Sequence, residues 1–133
     1  MPLSLYDQRL LLDGTVEKLC SNSTAVQARS VYLQGLLLTS PSDWPGWVPS
    51  SLIKHHESLV NLSIEKKCSL IDLALGFVRD QKELESVVVG ICNVNQLKQL
   101  TQAFSLSSPW KKNEWRSWSL NSQDFLDPRF WPR

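Results

Sequence analysis

Apolar residues recur along this chain with two different periods, and the change of period marks its elements. From Val26 to Leu33, β-branched and aromatic residues crowd between Ser21-Asn22-Ser23 and Gly35, which predicts a strand. Ser86-Val87-Val88-Val89-Gly90-Ile91 carries an unbroken apolar run, which suits a parallel strand covered on both faces. Two helical patterns lie between them, as a right-handed crossover between parallel strands requires. The first runs from Ser50 to Ile64 behind Pro49 and aligns Leu52, His56, Leu59, Val60 and Ile64 on one face. The second begins at Ser69, which Asp72 partners as a cap; it buries Leu70, Leu73, Ala74, Phe77 and Val78 and ends near Asp80. A third starts at Asn93, where Gln96 completes a capping box, and turns Leu97, Leu100 and Phe104 inward. Leu5 to Leu12 and Thr15 to Cys20 read as short helical turns.

From Ser107 onward the period is lost among Pro109, the lysines, the tryptophans and Asp127-Pro128-Arg129. The chain therefore divides into residues 1–106, an α/β alternation with parallel strands, and residues 107–133, an irregular tail expected to lie across the outside.

Composition narrows the function classes. With 14 Lys and Arg against 13 Asp and Glu the net charge is +1, which argues against nucleic acid or an anionic membrane as partner. The longest purely apolar runs are three residues, far below the roughly 18 that cross a bilayer. No basic region followed by an apolar run opens the sequence, so no export is inferred. Cys20, Cys68 and Cys92 form neither a C-x-x-C pair nor a zinc spacing, which fits a reduced, cytoplasmic compartment. Adjacent His55 and His56 point about 100° apart on a helix and do not chelate one metal together. The six tryptophans fall in Trp44-Pro45-Gly46-Trp47 and in Trp110 to Trp131. The first group either lines a mouth or partner surface or packs over one end of the domain.

Ala28-Arg29-Ser30-Val31-Tyr32-Leu33-Gln34-Gly35-Leu36-Leu37 resembles the seventh-strand segment of aldo/keto reductases. Leu73 to Val78 is similar to the helix before that family's eighth strand. Ser86 to Gly90, followed by Asn93, Gln96 and Leu97, is similar to the eighth strand and its phosphate-binding turn. Pro2 to Arg9 resembles the segment just after the sixth strand begins, and Leu126-Asp127-Pro128-Arg129-Phe130-Trp131 resembles the tail of some bacterial members. The four internal motifs stand in the family's order and spacing. The resemblance implies an α/β fold, a partial (β/α)8 TIM barrel holding its last two to three β/α units.

The family transfers hydride between NADP or NAD and a carbonyl, with a tyrosine acid assisted by lysine, aspartate and histidine. No position here matches those four, so no catalytic residue is assigned, and Tyr6, Tyr32, His55 and His56 are not their equivalents. Ser30, Gly90, Cys92, Asn93 and Gln96 are the positions that correspond to cofactor contacts. Arg29, Leu100 and Ser4 depart from the family, standing where an aromatic, an asparagine and another asparagine are common.

Each cofactor position has two readings. The turn from Gly90 to Leu97 aims amide groups and a helix N-terminus at an anion, or simply permits a tight turn capped by Asn93. Cys92 is a favoured thiolate or a small turn residue. Ser30 touches a diphosphate or bonds nearby backbone.

The expectation is thus a truncated member of an oxidoreductase family, inactive as a reductase alone and holding a nicotinamide dinucleotide weakly. The alternatives are a non-catalytic interaction protein, self-associating through open sheet edges, and a residual nucleotide-phosphate-binding module. With so few strands, alternate residues of Val26 to Leu33 and Val87 to Val89 are expected to lack cover, leaving the fold marginal.

Overall fold

In the computed structural model, which describes residues 1–133, the elements follow in the order α1 (Arg9–Leu12), α2 (Thr15–Ser21), β1 (Gln27–Ala28), α3 (Ser50–Glu65), α4 (Leu70–Arg79), β2 (Ser86–Val87), α5 (Val94–Ser105) and α6 (Gln123–Leu126). The helices form where caps and apolar period predict them, but not every predicted inward residue is covered: Ile64 of α3 is exposed, and so are Leu97 and Phe104 of α5. Ser69 Oγ accepts from the Asp72 N–H at 3.1 Å while Asp72 Oδ2 accepts from the Ser69 N–H at 2.8 Å, so two orphan donors at the start of α4 are satisfied reciprocally. α4 then buries every residue from Leu73 to Val78 and packs against both α3 and α5. None of these helices is long and apolar enough to cross a membrane.

The sheet departs from expectation. The strands predicted over Val26 to Leu33 and Ser86 to Ile91 shrink to two residues each, paired in parallel with Gln27 opposite Ser86 and Ala28 opposite Val87. On the other side of β1 only a single parallel bridge forms, between Pro2 and Arg29. A mostly helical chain with two such strands is not a partial (β/α)8 barrel with several parallel strands.

The reason is local at both ends of the predicted strands. After Arg29 the backbone enters the left-handed region at Ser30 (φ 61), Leu33 (φ 47) and Gln34 (φ 56), which ends the ladder of β1. Beyond β2 no third strand is present to hold Val88 to Ile91 extended.

Cover for the apolar residues comes from an unpredicted source. Val26, Ala28, Val31 and Leu33 are buried, and with Leu3, Leu5, Tyr6, Leu73 and Phe77 they belong to the protein's buried interior. The tail closes that interior. Trp110, Trp115, Phe125 and Leu126 are all buried in it, so the tail is a layer of the core and not a strap outside it.

Its anchors are individual contacts. Trp110 Nε1 donates to the Leu73 carbonyl at 2.9 Å, and the Leu120 N–H donates to the Tyr6 carbonyl at 2.9 Å. Gln8 Nε2 donates to the carbonyls of Trp115 (2.8 Å) and Leu5 (2.7 Å), two bonds set against an orphaned Gln8 Oε1. Pro109 lies so close to α4 that a Cβ on Gly76 would stand 2.6 Å from its ring.

The other side of the molecule lacks such a layer. Val88 is 54% exposed, and Ala103 is the single buried residue of α5.

Candidate functional site

Parallel strands leave their carboxyl ends and the following helix N-termini on one side, and a recess lined mostly by apolar residues lies there. A cleft of about 680 Å³ is bounded by the chain leaving β1 (Ser30, Tyr32, Gln34), the chain leaving β2 (Val88 to Cys92), and Gln96, Gln99 and Leu100 of α5. Four of the five positions expected to contact a cofactor, Ser30, Gly90, Cys92 and Gln96, therefore border one space although they come from two distant segments. The fifth, Asn93, acts as the N-cap of α5: its Oδ1 accepts from the Gln96 N–H at 2.9 Å. Gln96 reaches back to accept from the Cys92 N–H at 2.7 Å, one residue earlier than a standard capping box. Both side chains thus fill amide groups that the turn would otherwise offer to an anion. The N–H groups of Asn93, Val94 and Asn95 keep no protein acceptor.

No side chain lining this cleft is charged. Any attraction for an anion must come from the three open amides and the positive end of the helix dipole, worth about half an elementary charge. Arg29 and Lys98 adjoin lining residues in sequence, and the Arg29 guanidinium donates to Ser30 Oγ at 3.3 Å.

Ser30 and Gln34 also border a second, polar cleft of about 700 Å³ that holds Arg9, Arg29 and Arg129. Two of these arginines are already neutralised. Arg9 pairs with Asp7 at 2.8 Å, and Arg129 grips Asp127 through both oxygens, which pulls that carboxyl down to about 2. Arg29 has no carboxylate partner. The wall between the clefts is the strained stretch of left-handed residues from Ser30 to Gly35. Such conformations cost on the order of 1–3 kcal/mol each outside glycine and persist only where surrounding structure holds them.

Tyr6 and His56 belong to neither cleft. Both are fully buried, and Tyr6 Oη lies 2.8 Å from His56 Nδ1. His56 Nε2 lies 2.7 Å from the Thr39 carbonyl, which can only accept, so Nε2 carries the proton and Nδ1 accepts from the tyrosine. Burial pushes the Tyr6 hydroxyl far up and the His56 imidazole down from their ordinary values, holding both neutral. Trp44 stacks on His56 with ring centres 4.4 Å apart and donates its Nε1–H to the Leu36 carbonyl at 3.0 Å. The Trp44 to Trp47 loop is thereby packing: Trp44 closes over α3, and Trp47 sits against Trp131 of the tail. His55 points elsewhere, toward the Trp118 carbonyl at 3.2 Å.

Sequence reasoning missed the breadth of the apolar floor, to which Leu38 and Ile71 contribute from outside the quoted motifs, and missed the sharing of Ser30 and Gln34 between two clefts. The signal for the second is Gln34-Gly35, which bounds the predicted strand and belongs to the seventh-strand resemblance but also marks a left-handed turn. The chain matches no family model, no curated protein and no solved structure at a significant level.

Proposed function

We propose that this protein is a relative of the NAD(P)H-dependent aldo/keto reductases that carries segments corresponding to cofactor contacts without the residues that protonate a carbonyl, and that it binds a nicotinamide dinucleotide weakly and reduces nothing by itself. The observation that carries the reading is the convergence of Ser30, Gly90, Cys92 and Gln96 on one cleft of about 680 Å³ at a helix N-terminus. Ser30 lies some sixty residues from the other three in the chain.

The chemistry of the cleft sets the strength of binding. Its apolar floor of Val31, Leu38, Ile71 and Leu100 suits a planar ring, and the open amides of Asn93 to Asn95 suit a phosphate oxygen. With no cation in the lining and two turn amides already satisfied by Gln96 and Asn93, the diphosphate gains little charge compensation. A dissociation constant near or above about 1 mM follows for such a site. A general acid contributes about 10²–10⁴-fold to proton transfer. Tyr32 borders the cleft but does not correspond to the family's tyrosine acid, and no lysine, aspartate or histidine stands beside it in the lining, so hydride transfer to an aldehyde lacks its partner step.

Titrating NAD and NADP into isotope-labelled protein tests the proposal. Amide shifts are expected at Ser30, Gly90 and Asn93 to Asn95, with no steady cofactor oxidation when aldehydes are added. Shifts clustered at Trp47 and His55 with Asn93 unmoved would overturn it, as would turnover that survives repurification.

A further inference from the structure

The side of α5 that faces neither the cleft nor α4 carries an apolar stripe with nothing over it. Val94 is 65% exposed, Leu97 43%, Phe104 42% and the following Leu106 50%. At about 100° per residue, Val94, Leu97, Thr101 and Phe104 fall within an arc of about 80°. From Val94 to Ser105 the helix has no acidic residue and a single basic one, Lys98. A charged partner has little to grip there.

We infer that this stripe is the interface of a weak symmetric dimer, the occupant being α5 of a second copy. The order of residues along the stripe fits its own reverse. In an antiparallel pair with a two-fold axis at the level of Gln99, Val94 meets the second copy's Phe104 and Leu97 meets its Thr101, and one axis satisfies both pairings. In each pair a large side chain faces a smaller one, so the two surfaces interlock, as an isologous contact requires. Antiparallel packing also opposes the two helix dipoles.

The area sets the affinity class. Four side chains about half exposed offer roughly 300–400 Å² of apolar surface per copy, and with their polar flanks the pair only reaches the roughly 1,000 Å² at which specific interfaces begin. The dimer is therefore weak and concentration-dependent. The same two-fold axis brings Lys98 and its counterpart onto one flank of the seam, so their repulsion is screened by salt and association strengthens as salt rises. An acidic partner would show the opposite dependence.

Sedimentation of the full chain from about 10 µM to 1 mM tests the inference. The weight-average mass should rise toward twice the monomer, more steeply at about 1 M salt than at 0.1 M. The double variant Leu97→Glu, Phe104→Glu should stay monomeric throughout while melting like the parent, because both side chains are already exposed. An amide-shift dilution series on the unaltered protein gives a readout that needs no variant, with changes expected to be confined to residues 94–106. A protein monomeric at 1 mM, a dimer indifferent to the double variant, or dilution shifts centred on Trp47 and Trp131 would each overturn the assignment. Dimerisation is read without added nucleotide, so its failure is separate from failure of cofactor binding.

Discussion

Leu3 to Gln8 and Val94 to Ser105 are comparable stretches of mixed apolar and polar residues, yet the first is wholly buried and the second buries one residue. Neither propensity nor period explains the difference. The tail reaches the first stretch, where the Leu120 N–H bonds the Tyr6 carbonyl and the Trp115 carbonyl accepts from Gln8, whereas the far side of α5 stays exposed at Val94, Leu97 and Phe104. A two-strand sheet buries too little on its own, and a domain's net stability of about 5–15 kcal/mol is readily exhausted by uncovered side chains. Here a segment with no regular pattern supplies the missing layer on one side and leaves the other half-clothed. Stability should accordingly be concentrated on the tail side.

Truncating Trp110 gives the largest expected loss. Its ring is buried and its Nε1–H adds a bond to the Leu73 carbonyl of α4, so Trp110→Ala removes a core aromatic together with that anchor. A cost of about 3–5 kcal/mol is expected from urea denaturation. The same truncation of Leu97 on α5 should fall within about 0.5 kcal/mol of the parent at concentrations where the chain is monomeric. Equal losses at the two sites would break the comparison.

Gly76→Ala probes the same clasp from the helix side. In an exposed helix this change stabilises, because alanine has the higher helix propensity. Here the new methyl would meet the Pro109 ring at 2.6 Å, and the ring cannot swing away as a flexible side chain would. A loss of about 1–3 kcal/mol is expected. A gain would show that the tail yields easily.

The Tyr6, His56 and Thr39 chain adds a pH dependence confined to the tail side. Burial lowers the affinity of His56 for a proton in the folded state, so the unfolded chain binds protons more readily. The stability this contributes is fully present above the ordinary imidazole value of about 6.5 and drains as pH falls through it toward the lowered folded value. Urea midpoints measured from pH 8 to pH 5 should fall on the acid side. Tyr6→Phe leaves Nδ1 without its donor and should cost about 1–3 kcal/mol at neutral pH while flattening the acid decline. A decline unchanged in that variant would place its cause in other groups.

The contrast also separates what the sequence makes legible from what it does not. α4 and α5 carry caps of their own, so Ser69 with Asp72 and Asn93 with Gln96 mark helix starts from sequence, and Pro49 marks the start of α3. A strand has no such local guarantee. Val87-Val88-Val89 reads as a covered strand, but coverage is a property of neighbours, and Val88 has none on its outer side. The tail was illegible for the converse reason. Its role rests on single anchors such as the Trp110 indole and the Leu120 amide, which impose no period. At the candidate site, motif order singled out Ser30, Gly90, Cys92 and Gln96, which border one cleft, while the left-handed turn that joins the two clefts at Ser30 and Gln34 has no compositional mark beyond Gly35.

That turn supports the smallest of the expected effects, and one that sharpens the comparison at the boundary between the covered and uncovered sides. Ser30, Leu33 and Gln34 hold positive φ without being glycine. Leu33 is buried and Ser30 meets Arg29, so their side chains contribute contacts that offset the strain. Gln34 is exposed, so relief of its backbone is separable from loss of contact. Replacing it by glycine removes the roughly 1–2 kcal/mol penalty of a left-handed residue and adds about 0.5–1 kcal/mol of unfolded-state entropy. Gln34→Gly should therefore leave the urea midpoint equal to or slightly above the parent's, by at most about 1 kcal/mol. A loss greater than that would mean that the Gln34 side chain supports the wall between the clefts. In that case the same variant should also alter the amide shifts of Ser30 without added ligand, tying the strain at this turn to the shape of the site and not to backbone economy alone.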